Sequence, residues 1–218
     1  MGNPRNALVG LDPSNEVQKE QIEAIEALAD LARSKADTMT LEILRDIDEA
    51  GSEFNKSIPV ESFLDKRIET HAYNSESADA VVQQLTGSLK DFIEGGAENI
   101  VNGIGQLLGT AVQAFLGSGE ASEDLFERYM IYTNGLGLER FDLKVWKRKI
   151  KVSGLQDKMQ CVSAFVGIRS AVDLNKIKLN TFLILYSKQL EKMGLNDTEI
   201  DKAIDEAKNI YSKLHSNI

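Results

Sequence analysis

The stretch from Leu89 to Gly119, LKDFIEGGAENIVNGIGQLLGTAVQAFLGSG, is the longest weakly charged run in a chain whose residues are 27% charged. Its apolar residues Ile93, Ala97, Ile100, Ile104, Leu107, Leu108, Ala111 and Phe115 recur at spacings of three and four, which predicts one face of an α-helix. Glu94, Glu98, Asn102, Gln106 and Gln113 fall on the opposite face, so the helix reads as amphipathic. A spanning helix needs about 20 predominantly apolar residues, and these acids and amides interrupt every window of that length. Gly95, Gly96, Gly103, Gly105 and Gly109 each cost roughly 0.5–1 kcal/mol against alanine inside a helix, so something must offset them. The small-xxx-small spacing of Gly105 and Gly109 predicts close approach of a second backbone.

Few aromatics (6%) and only three prolines in 218 residues favour helices over a sandwich or barrel. Apolar stripes are read over Val17–Ala32, Leu41–Ile47, Val60–Ala72, Val81–Leu89, Leu125–Tyr132, Leu155–Val172, Leu179–Met193 and Ile200–Leu214. The expected fold is therefore all-α, a bundle of about six to eight amphipathic helices around the glycine-rich one and stabilised mainly by packing. Residues 1–13 read as an irregular lead-in, 14–73 as an N-terminal helical region, and 74–218 as a helical core that the sequence allows to be continuous with it. The segment LERFDLKVWKRKIKVSGL is ambiguous: Phe141, Leu143 and Val145 alternate as in a strand. Helix is preferred there because no second strand is evident to pair with it.

The motifs that carry chemistry fail on inspection. Gly103-Ile104-Gly105 lacks both a preceding strand and the third glycine of a dinucleotide fingerprint, since position 108 is Leu. The acidic run from Asn196 to Asp201 has Asp201 where a calcium loop requires glycine, and Asn196 with Glu199 reads as a helix-capping box. His71 and His215 have no partner at metal-ligand spacing. Cys161 lies among apolar residues and reads as a small buried hydrophobe. These readings predict no catalytic, cofactor-binding or metal site, no cofactor, no small-molecule substrate and no enzymatic activity.

A net charge of −9 argues against nucleic acid as a partner. The N-terminus shows no cleavable leader, and Asn6 stands where a myristoylation signal wants Ser or Thr. The expected location is the cytoplasm, or the exterior by a route without a cleavable signal peptide. One local anomaly runs against the overall acidity: Arg140, Lys144, Lys147, Arg148, Lys149 and Lys151 cluster around Trp146. Internal pairing with the acidic N-terminal helix is the bland account of this cluster. The sharper one is contact with a second chain or with lipid headgroups.

The leading functional expectation is an assembly protein, a homo-oligomer associating through helix faces. Its interaction residues would be Ile93, Ile100, Ile104, Gly105, Leu108, Gly109, Phe115, Lys144, Trp146, Lys147, Arg148 and Lys149. The rival expectation is membrane activity by 89–119, embedding Ile100–Leu116 in the interface or lining an oligomeric pore.

Overall fold

The computed structural model describes residues 3–8, 10–73, 78–93, 98–117, 122–133, 137–149, 161–192 and 195–215. After a short 3-10 turn at Pro4–Leu8 come α1 (Glu16–Asp48), β1 (Val60–Tyr73), α2 (Ala78–Phe92), α3 (Glu98–Gly117) and β2 (Glu123–Thr133). Then follow β3 (Leu138–Lys149), β4 (Cys161–Val172), α4 (Leu179–Lys192) and α5 (Asp197–His215). The strands form one antiparallel sheet in the order β1-β4-β3-β2. The all-α expectation is thus overturned: the fold is α/β, and among the described residues five α-helices pack on a four-stranded sheet.

The helix ends are set by local signals. Asn15 caps α1 by accepting hydrogen bonds from the backbone of Val17 and Gln18, and α1 then runs unbroken through Asp37-Thr38. The capping box at α5 is reciprocal: Asn196 N–H donates to Glu199 Oε2 (3.0 Å) and Glu199 N–H to Asn196 Oδ1 (3.1 Å). The glycine-rich run divides between α2 and α3, and its expected bend at Gly95-Gly96 lies outside the described residues.

Four segments read as helical are strands, for two physical reasons. β3 and β4 are buried on both faces. Such strands lose the two-residue alternation that marks a half-exposed one, and their apolar runs mimic a buried helix. In β3 the polar residues of the alternating pattern are themselves buried, because Arg140, Asp142 and Lys144 face α1 and pair there. The objection that β3 had no partner disappears once β4 is a strand: Phe165 sits opposite Val145 and Ala164 opposite Trp146. β1 and β2 are edge strands with mostly exposed outer halves, so neither shows a clean period.

Each sheet face has its own core. Against one face, α1 packs Ile25, Ala32, Ala36, Met39, Ile43 and Ile47 on Val162, Ala164, Val166 and Ile168 of β4 and on Trp146. On the other, α2 to α5 bring Leu85, Leu89, Leu108, Val112, Phe182 and Ala207 onto Phe141, Leu143, Val145 and Phe165. In this second core Gly167 leaves room for the Phe141 ring, which lies where a side chain on β4 would stand. A Cβ there would come within 2.9 Å of Phe141 Cε2. Phe92 meets the same ring edge-on at 6.1 Å.

Candidate functional site

The sheet is covered unevenly. α1 lies over β4, β1 and β3, so the α1-side face of β2 stays open from Glu123 to Tyr129 among the described residues, while Ile131 and Thr133 further along that face are buried. Cross-strand register puts Leu125 beside Trp146, Glu127 beside Lys144, and Tyr129 beside Asp142 on that face. Leu125 is 45% exposed and Tyr129 40%. Between β2 and the flank of α1 runs a groove with two hollows. One, of about 240 Å³, is lined by Asp46, Ser57, Glu127, Tyr129, Arg140 and Lys144 among others. The second, of about 360 Å³, is lined by Lys35, Met39, Glu42, Glu123, Leu125 and Trp146 among others.

The polar floor of this groove is heavily cross-bonded. Arg140 grips Asp142 with two hydrogen bonds, Nε to Oδ2 at 2.8 Å and Nη2 to Oδ1 at 2.7 Å. Its third nitrogen donates to Ser57 Oγ and to the Ile58 carbonyl, and the guanidinium lies 4.3 Å from the centre of the Tyr129 ring. Burial pushes the Asp142 carboxyl above its ordinary value, with Asp46 adding to the effect, and the Arg140 contact offsets only part of this. Lys144 is shared by three carboxylates, Glu42 at 3.0 Å, Glu127 at 3.2 Å and Asp46 at 3.7 Å. Burial works against its charge, but the bonds to Glu42 and Glu127 prevail and raise its pKa. Glu42 and Glu127 outnumber the Lys144 ammonium they share, while Asp46 is also paired with Arg45 at 3.6 Å. At the other end Glu123 accepts from Lys35 (2.7 Å) and from the Trp146 indole N–H (2.8 Å).

On the opposite face a second polar cluster ties α2 to β1. Glu69 accepts from Arg67 Nε (2.7 Å) and from Ser88 Oγ on α2, and bonds His71 Nε2 at 3.0 Å. Serine and histidine both bond the carboxylate and are not hydrogen-bonded to each other. The cluster therefore reads as a fastener between β1 and α2, not as a nucleophile with its base. Burial opposes the Glu69 charge, but the bonds from His71, Ser88 and Arg67 outweigh it and hold the carboxyl at about 2. A depressed folded-state pKa contributes stability above the ordinary value of 4.5, lost as the pH falls from there towards 2. Glu69→Gln is expected to lower stability at neutral pH by about 1 kcal/mol, a figure discounted for solvent screening. It should also flatten the acid limb of a pH series of urea denaturations over that window, whereas an unchanged acid limb would contradict the assignment.

The residues singled out from sequence fall in several places. Ile93, Ile104 and Leu108 are buried in the core beneath α2 and α3. Ile100 lies in α3, but its side chain is outside the described set. Gly105 and Gly109 face α2, where a Cβ would come within 2.7 Å of Lys90 Cε and 3.0 Å of Thr86 Oγ1, so their close approach is made inside one chain. Phe115 is half-buried against Phe126. Lys147 is buried and donates to the Phe115 carbonyl at the end of α3. Lys144 and Trp146 form the groove floor, while Arg148 and Lys149 are exposed. The structure thus joins Lys144 and Trp146 with Glu42, Glu123, Glu127 and Tyr129. Sequence reasoning missed this set. The available signal was the i, i+2 charge pattern of Arg140, Asp142 and Lys144.

Among the described residues, no group of three or more His, Cys, Asp or Glu side chains is arranged to hold a metal ion. No described helix is long and apolar enough to cross a membrane. Comparison of the chain with protein-family models, with curated proteins and with solved structures finds no match.

Proposed function

We propose that this protein is a non-catalytic assembly component that associates with copies of itself. The observation that carries the reading is the open α1-side face of β2, where Leu125 and Tyr129 stand exposed above a floor of paired charges. Among the described residues one helix covers that side of the sheet, which leaves room for a second element, and an apolar surface rimmed by polar groups marks a contact site. The ionisable groups of the groove are bonded to one another, an arrangement suited to holding a shape. β1 offers a less suitable contact. Its exposed Phe63, Leu64 and Ile68 are interrupted by two register breaks and by Asp65, Lys66 and Arg67, the features that blunt edge strands against pairing.

Sedimentation velocity over a wide concentration range tests the reading, with a mass that rises with concentration as the expected result. A strict monomer at every concentration would refute it. The rival reading, membrane binding by residues 89–119, is supported by one observation: Gln106, Thr110, Gln113 and Ala114 on the outer face of α3 carry no charge. Adding dye-loaded anionic vesicles to the same samples separates the two, since leakage by a protein that stays monomeric favours the membrane. Trp146 is buried on the far side of the sheet from α3, so dye release is the readout, not tryptophan emission.

A further inference from the structure

The groove beside β2 has a counterpart elsewhere on the same chain. α4 buries Phe182, Tyr186 and Leu190 against the core. Its outward side presents Thr181, Ile184, Leu185, Lys188 and Lys192, all exposed. At 100° per residue these five fall within a stripe about 100° wide. Ile184 is 49% exposed and Leu185 38%, so the stripe pairs two large apolar side chains with two lysines one turn apart. Lys178, just before the helix, extends the basic end, and Glu191 at the margin is the acidic exception. α4 is fixed to the edge of β2 by Gln189, which accepts from the Ile131 N–H (2.7 Å) and donates to the Ile131 carbonyl. That anchorage leaves the outward stripe free.

Resting on the assembly reading, we infer that the occupant of the α1–β2 groove is the α4 stripe of a second copy. Ile184 and Leu185 would lie on Leu125 and Tyr129. Lys188 and Lys192 would meet Glu42 and Glu127, two carboxylates that share the ammonium of Lys144, while the neighbouring Asp46 is also paired with Arg45. Charge and apolar surface are complementary between two different patches of one chain. Such a pairing either closes reciprocally in a two-fold dimer or propagates head to tail into a ring or a filament. Electrostatic matching of this kind governs encounter and specificity and weakens with salt.

Charge reversal on full-length protein tests the inference. Lys188→Glu with Lys192→Glu in one copy, or Glu127→Lys in another, is expected to weaken association at least about tenfold. Mixing the two variants should restore it, because each altered patch then meets its opposite charge while each variant alone remains repelled. Lys188 and Lys192 are exposed, so an unchanged melting temperature is the folding control for that variant; Glu127→Lys loses the Lys144 pair, and a retained far-UV circular dichroism spectrum is the control there. Assembly that persists undiminished in both variants would overturn the α4 docking while leaving self-association intact. Weakened association that mixing does not restore would overturn it too. A wild-type chain that never associates would overturn both.

Discussion

Arg140→Leu is expected to destabilise the protein by about 3–5 kcal/mol, the range for removing one partner of a buried ion pair. The arginine is 2% exposed and satisfies Asp142, Ser57 and the Ile58 carbonyl together. Removing it leaves a buried carboxylate with Asp46 nearby and no guanidinium. Asp142, already raised by burial, would then titrate still higher in the folded state. A raised folded pKa gives stability that is present at low pH and lost as the pH rises through it. The variant should therefore recover part of its deficit as the pH falls from neutral towards 5, opposite in sign to the Glu69 effect. Urea denaturation at several pH values measures both, and adding Asp142→Leu should return most of the stability. A loss below about 1 kcal/mol would mean that the pair is solvated and that the groove floor is not built as described.

Gly167→Val is expected to cost about 3 kcal/mol, at the upper end for overpacking a filled core. The nearest atoms to an added Cβ belong to the Phe141 ring, at 2.9 and 3.2 Å, with Phe92 Cε1 at 3.7 Å behind them. A ring wedged between a strand and α2 cannot yield as the end of a lysine can. Gly105→Ala, which meets the flexible Lys90, is the contrasting case and should cost much less. Combining Gly167→Val with Phe141→Leu should recover stability relative to Gly167→Val alone. A Gly167→Val protein as stable as the wild type would place the Phe141 ring elsewhere.

The parts of the fold legible in the sequence are those fixed by neighbours along the chain. Asn196 and Glu199 cap α5, and α4 keeps its apolar stripe of Phe182, Tyr186 and Leu190. The sheet was illegible because its evidence is not local. Val162 to Ile168 is apolar on both sides because β4 is covered on both sides, and a strand so covered has the pattern of a buried helix. The alternating β3 segment was visible, but accepting it required a partner strand hidden by that same mimicry. The groove was half legible. The basic cluster around Trp146 stood out against an acidic chain, and Lys144 does meet acidic residues of α1. Glu127 and Tyr129 join it only through the register of β2 on β3, which no spacing within β2 announces.

The seating of α4 from one copy in the groove of the next can be trapped by a disulfide. With Cys161 replaced by alanine, one preparation carries only Leu125→Cys and another only Ile184→Cys. Mild oxidation of the mixture should yield a covalent dimer containing one chain of each kind, while neither preparation alone should cross-link appreciably. Equal cross-linking within a single preparation, or none in the mixture under conditions where the protein associates, would contradict this seating.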